Sequence, residues 1–322
     1  MVELLKKLMG TPGISGREEK IREVIISEAR PYCDELTVDK MGNVIARKKG
    51  EGKRIMLCAH MDEIGFLVTH ITDSGKIKVS NIGGINYLSA VFSEVVSEKG
   101  VTGVLVVDSS KEMPKPDSVY IDIGAKTRKQ AEKRVSVGDF FVCAPKMKRL
   151  AGTKYVGRPF DDRIGCAILI KAMQEIKETK NDLYFVFSVQ EEVGIRGSKP
   201  ATYQISPDVG IAIDVTGVGD ASASGVKLGG GCAIKIKDVS VISSPELVKK
   251  MRGLAKDNKV SYQDEILLAG GTDAGSMQIT GKGAWAGGIS IPTAHIHSGC
   301  EIIDMNDVKS ALALTVLVAE RL

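Results

Sequence analysis

The sequence predicts an α/β fold: a largely parallel central sheet flanked by helices, with a β-barrel-like segment inserted into it. Three observations predict it. Continuously apolar runs such as RIMLCAH (54–60) and DLYFVFSVQ (182–190) read as strands buried on both faces, the mark of parallel strands. Helical patterns separate such runs in both flanks of the chain, as crossover connections require. From about residue 66 to 156 the texture changes to short β-rich pieces broken by Gly, Asp and Pro. The expected division is one domain from 1–65 with 157–322, and an inserted β-rich domain over 66–156.

The elements follow in order. A short amphipathic segment opens the chain, then SGREEKIREVIISEAR reads as a helix with Ser15 and Glu18 forming a capping box. NVIARKK (43–49) and RIMLCAH (54–60) are strands joined by a Gly-containing turn. In the insert, KIKVSNIGG, AVFSEVVS, VTGVLVV, SVYIDIG and DFFVCAP suit a small barrel or sandwich, and only KTRKQAEKR looks helical. RIGCAILIKAMQEIKE (163–178) is then a helix, with DLYFVFSVQ and DVGIAID (208–214) as strands. LVKKMRGLAKD is a helix, AWAGGISI (284–291) a strand, and DVKSALALTVLVAERL a closing helix. No internal repeat or low-complexity tract interrupts this order.

Composition excludes several classes. With 322 residues, 43% hydrophobic and 26% charged, the chain resembles an ordinary soluble protein that can bury a sizeable core. The net charge of +4 and basic clusters at 126–134 and 146–149, without interleaved aromatics, read as solvated surface and not a nucleic-acid groove. Six cysteines without a CxxC pair read as small buried hydrophobes in a reducing compartment. No signal-peptide core and no run near the ~18 apolar residues of a membrane span is present. The expectation is a cytoplasmic protein without membrane partners.

The polar residues that follow the apolar strands carry the chemistry. His60 and Asp62 end RIMLCAH, Glu191 and Glu192 end DLYFVFSVQ, and Asp214 ends DVGIAID; Asp161 and Asp162 precede the helix at 163, and His297 follows AWAGGISI. Open parallel sheets place ligand sites outside the carboxyl ends of their strands, so one edge should collect these residues. Each alone has a plain reading: Asp161–Asp162 as a helix cap, Asp214 as a turn, His297 as a loop histidine, His60 with Asp62 as a structural pair. Together they form a set of imidazoles and carboxylates without thiolate, which suits zinc, cobalt or manganese better than calcium. Carboxylates so close are tolerated when cations lie among them. Two cations sharing a bridging Asp would account for the set, with one glutamate binding metal and its neighbour free as a general base for an activated water. In His60–Met61–Asp62, extended backbone puts both side chains on one side, so Asp62 can orient the His60 ring.

AHMDEIGF, GRPFDDRIG, VQEEVGIRG, AIDVT, GGTDAG and IPTAHIHS, in this order, closely resemble the tetrahedral-type dinuclear metallo-aminopeptidases, a family of glutamyl, leucyl, lysyl and deblocking aminopeptidases in which some members carry an endoglucanase label. YIDIG (120–124) and VSVGD (135–139) are similar to that family's inserted β domain. The resemblance implies two divalent cations and removal of N-terminal residues from short peptides. It implies His60 and Asp214 as terminal ligands of one and the other site, Asp161 as the bridging ligand with a cis peptide after it, and Glu192 and His297 as remaining ligands. It also implies Glu191 as general base, Asp62 as the partner of His60, and dimers assembled through the insert into a tetrahedral dodecamer. Ala294 and His295 depart from an Arg-Tyr usual before the Ile-His-Ser, and Gly299 stands where Pro is frequent, so His295 is an alternative ligand to His297. Thr272 and Asp273 lie in a loop that either borders the substrate or is a plain turn; LGGGCA (228–233) reads as close backbone packing. A glycoside hydrolase and a non-catalytic metal-binding assembly are the rival functions. The first wants two carboxylates about a sugar but no strand-end histidines; the second has no need of Glu191.

Overall fold

Along Arg54–His60, Ile55, Leu57 and Ala59 face one hydrophobic cluster while Met56 and Cys58 face another. This period-two division is what a strand covered on both faces requires. A computed structural model describes residues 1–108, 114–219 and 225–322. It forms an 11-stranded sheet and a closed barrel of six strands.

The centre of the large sheet is parallel: Asp182–Ser188, Arg54–His60, Val209–Gly217 and Trp285–Ala294 lie side by side in that order. Antiparallel strands extend both edges, among them Val44–Lys48 beside Asp182–Ser188 and Glu301–Asp304 beside Trp285–Ala294. Helices Val2–Met9, Glu19–Ala29, Arg163–Glu175, Pro245–Asp257 and Met305–Arg321 contribute to the larger cluster, and Ser198–Ile205 with Asp273–Ile279 to the other. The sheet is therefore the middle of three layers.

The barrel closes in the order Gly65–Ile71, Ile77–Ile82, Val119–Asp122, Thr102–Val107, Glu94–Ser97 and Phe140–Cys143, around a separate core that includes Phe66, Leu105, Ile121 and Phe141. KTRKQAEKR supplies one short helix, Arg128–Glu132, with the Thr127 side chain accepting the Gln130 N–H, but it is not the insert's only helical piece, since Tyr87–Ala90 forms a single turn as well. The hairpin Lys146–Arg149 and Lys154–Arg158 pairs with Glu301–Asp304 and so belongs to the large sheet. No helix among the described residues is long and apolar enough to cross a membrane.

Some elements differ from the sequence reading. Helix Glu19–Ala29 has no capping box: Ser15 donates to Asp62 Oδ2 at 2.7 Å, and Glu18 accepts the N–H of Gly16 at 2.7 Å. A tertiary partner outcompetes the local cap. The strand containing Asp214 runs on to Gly217, because its parallel neighbour continues to pair through Thr293. LGGGCA packs as expected, since a Cβ on Gly231 would lie 2.1 Å from the Ser261 carbonyl oxygen. Five cysteines are buried or half-buried, while Cys300 is exposed.

Candidate active site

The carboxyl ends of the parallel strands open into a cavity of about 500 Å³ lined by His60, Asp161, Glu191, Glu192, Asp214 and His297. Neighbouring parallel strands bring His60 and Asp214 side by side: Cys58 pairs with Ala212, two residues before each. A depression of about 760 Å³ at the opposite end of the sheet, around Lys53, Asp208 and Trp285, contains none of the candidate residues.

Asp161 lies between the two histidines. Its Oδ1 is 3.1 Å from His60 Nε2 and its Oδ2 is 3.3 Å from His297 Nε2. Glu192 Oε2 is 3.1 Å from His297 Nε2, while Asp214 Oδ1 and Glu191 Oε2 are each 3.9 Å from His60 Nε2. Two groups of donor atoms, each within 4.8 Å of one another, result: His60 with Asp161 and Asp214, and Asp161 with Glu192 and His297. The partition differs from the one implied by resemblance, for His60 and Asp214 fall in the same group. His295 is exposed, whereas His297 faces the acids.

Adjacent acids divide their tasks. Asp162 caps helix Arg163–Glu175 by accepting the Gly165 N–H at 3.0 Å, so the cap reading holds for the second aspartate while the first faces the histidines. The peptide between them is cis. Glu191 and Glu192 both donate their backbone N–H to Asp62, at 3.0 and 3.2 Å, yet their carboxylates turn toward different histidines. Asp62 meets His60 chiefly through its backbone carbonyl, 3.0 Å from Nδ1, with Oδ1 at 3.6 Å.

The connecting loops are backed by buried charge. Glu301 accepts the N–H groups of Phe160 at 2.6 Å and Asp161 at 3.3 Å. Its partner Arg158 reaches Glu301 at 3.2 Å and donates to the Ser298 carbonyl at 2.8 Å. The loops carrying Asp161 and His297 are thereby tied together. Arg163 donates to Leu8 and Thr11 carbonyls and pairs with Glu63. Sequence reading missed these positioning residues; a Glu inside EIID and an Arg ending a strand were the available signals. Of Thr272 and Asp273, neither lines the cavity: Asp273 accepts from Ser188 and Cys58, and Gly270 and Gly271 form the rim instead.

Strain collects in the same places. Gln190 and Ile195 bracket the paired glutamates, and His295 and His297 lie in the last loop, all at φ between 55° and 61°. Left-handed backbone at non-glycine residues persists where surroundings over-determine it, often at functional sites.

Electrostatics matches the donor set. Burial pushes Glu191 and Asp214 well above the usual carboxylate range, and burial with Asp161 nearby raises Glu192. Burial opposes the His297 imidazolium, but the hydrogen bonds it donates to Asp161 and Glu192 outweigh it and bring the group to about 11. Burial likewise opposes Asp161 ionisation, and the two histidines overcome it. Glu192 Oε1 is buried without a hydrogen-bond partner. Oxygen and imidazole donors clustered around strained acids, with one carboxylate oxygen orphaned, fit divalent cations.

The M42 glutamyl aminopeptidase family model matches residues 42–314. A protein of Acetivibrio thermocellus named "Putative aminopeptidase" is 46% identical, over 98% of this chain and 97% of that one. The lysyl aminopeptidase of Pyrococcus furiosus is 35% identical, over 99% and 97%. Among solved structures, the Pyrococcus horikoshii TET1 peptidase, described as able to assemble into a tetrahedron or a large octahedral shell, superposes with a TM-score of 0.90 at 35% identity, covering 100% of this chain and 99% of that one. Carrying the fold, the ordered motifs and the matched span together, the chain belongs to the M42 glutamyl aminopeptidase family.

Proposed function

We propose that this protein is a metal-dependent aminopeptidase that removes N-terminal residues from short peptides, using two divalent cations. Zinc or cobalt suits the donors best, and manganese is compatible. The observation that supports this most is the division of Asp161, one oxygen toward His60 and the other toward His297. Such a carboxylate belongs to two donor groups at once.

His60, Asp214 and Asp161 would hold one cation, and Asp161, Glu192 and His297 the other. Bound there, the cations supply Lewis acidity that polarises a peptide carbonyl and makes water a better nucleophile near neutral pH. Glu191 is in neither group, yet its carboxylate faces the same cavity. In this reading it takes the proton from the attacking water and hands it to the leaving amine. Asp62 keeps the His60 ring and the Glu191–Glu192 backbone in place. The rival glycosidase reading finds little support, because the cavity lining includes no Phe, Tyr or Trp on which a sugar could stack among the described residues.

The reading extends to assembly and place: a homo-oligomer, built as dimers through the 66–156 insert and closed into a dodecamer, in the cytoplasm. The shell described for the Pyrococcus horikoshii relative supports the assembly.

The test is hydrolysis of aminoacyl-p-nitroanilides and short peptides, beside a cellulosic substrate, before and after chelation. Peptide hydrolysis should vanish on chelation and return with cobalt, zinc or manganese, with no attack on cellulose. Undiminished hydrolysis by protein shown metal-free by elemental analysis would refute the mechanism.

A further inference from the structure

Besides the acids and histidines, the side chains that line the cavity are Ile195, Val215, Thr216, Leu267, Ala269 and Ile296. Among the described residues, no charged side chain outside the acid–histidine group lines it. Lys235, which acts on Asp214 through space, is fully buried and engaged by Glu265 and Asp238, so it does not reach a bound side chain.

Ile195 with Leu267 and Ala269 of the facing loop make an apolar wall of the cavity, and that wall is held in place. Leu267 N–H donates to the Lys237 carbonyl at 2.9 Å, and Val239 N–H to the Gly270 carbonyl at 3.0 Å. A Cβ on Gly271 would approach Ser240 Cβ at 2.9 Å and Ile195 Cδ1 at 3.2 Å, so the loops bearing Ile195 and Ala269 close on one another. Ile195 is β-branched and held at φ 56°, with its N–H on the Glu191 carbonyl at 2.8 Å. Its backbone is thus fixed to the loop that delivers the paired glutamates.

We infer that this wall receives the side chain of the substrate's N-terminal residue, and that the class accepted is uncharged and apolar, of leucine or methionine size. The inference rests on the aminopeptidase reading and adds its substrate class. A lysine or glutamate side chain seated there would be desolvated without an opposite charge. An alanine would leave the wall uncovered, and differences of this kind are worth roughly tenfold or more in kcat/KM.

The experiment uses the full-length, metal-loaded protein and the Leu, Met, Ala, Lys and Glu p-nitroanilides. Leu and Met should exceed each of the other three by about tenfold or more in kcat/KM. Leu267→Lys places an ammonium on the wall and should raise the Glu-to-Leu ratio by about tenfold. Ala269→Lys, at an exposed position, serves the same purpose if Leu267→Lys does not fold. A Lys or Glu derivative cleaved as well as Leu, or a folded Lys variant with an unchanged ratio, overturns the inference. Hydrolysis of none of the five overturns the aminopeptidase reading itself, and this inference with it.

Discussion

Asp62 accepts the backbone N–H of Glu191 at 3.0 Å, so the residue beside one histidine positions the loop that delivers both glutamates. Its carboxylate also takes the N–H of Glu192 and the hydroxyl of Ser15. Asp62→Ala should therefore loosen the Glu191–Glu192 loop as well as the His60 ring. Metal affinity or activity should fall by about 10–100-fold, the usual effect of removing a residue that orients ligands. Ser15→Ala, which removes one of several donors, should cost less. Metal titration beside kcat/KM checks both, and an Asp62→Ala protein with normal affinity and turnover would contradict the arrangement.

Glu18 should make stability fall with pH. Burial raises its carboxyl to about 7 from an ordinary 4.5, against the hydrogen bonds it accepts from Gly16 and Gln190. Between these values the folded state holds a proton that the unfolded state has lost, so stability declines as pH rises from about 4.5 to 7. Glu18→Gln keeps an acceptor oxygen and removes the titration. Relative to the parent, the variant should gain on the order of 2 kcal/mol on going from pH 5 to pH 8. Unfolding curves at the two pH values decide it; a constant difference refutes the assignment.

Lys235 should be needed for folding and not for charge balance alone. It is fully buried, with Nζ on Glu265 and 3.5 Å from Asp238. Lys235→Met leaves both acids without their cation and should destabilise by roughly 3–5 kcal/mol. Adding Glu265→Leu removes one uncompensated charge and should recover part of the loss, which a double-mutant cycle by urea unfolding measures. Equal stability of parent and Lys235→Met would show the pair to be dispensable.

Much of this was legible in sequence where burial leaves a local mark. Arg54–His60, Asp182–Ser188 and the helices at 163 and 305 announce themselves because both sheet faces, or one helix stripe, must be apolar. The cavity residues were legible because parallel strands deliver their ends to one edge. What was missed depends on distant partners. Cys232–Lys237 and Tyr262–Ile266 carry charges that look solvated until Lys235 meets Glu265 from the neighbouring strand. Ser198–Ile205 contains Pro200 and little apolar period, and its buried face is defined by helix Asp273–Ile279. Ser15 resembled a cap because nothing local shows Asp62 waiting 47 residues away.

Assembly is open to a direct measurement. If the 66–156 insert joins dimers that close into a shell, light scattering should report a particle near twelve subunits. Heterologous contacts repeated under closed symmetry stop at a defined size. Metal depletion should release dimers if the loops tied to Asp161 and His297 support the outer contacts. A monomer at every concentration and metal level would refute the assembly while leaving the chemistry of the cavity untouched.

The two adjacent glutamates should separate cleanly. Glu192 Oε2 lies 3.1 Å from His297 Nε2, within a donor group, while Glu191 belongs to neither group and faces the cavity. Glu191→Gln preserves size and hydrogen-bonding shape but cannot accept a proton at neutral pH. Metal content should stay at the parent level while turnover falls about 10²–10⁴-fold, the usual contribution of a positioned general base. Glu192→Gln should lose activity together with metal, and added metal should restore part of it, because a ligand has been weakened and not a base removed. Both N–H bonds to Asp62 come from the backbone, so neither change disturbs the loop. Metal stoichiometry and turnover, measured on both variants, decide the matter. Metal loss confined to Glu191→Gln would reverse the two roles, and full metal with near-normal turnover in both would leave the pair without a catalytic part.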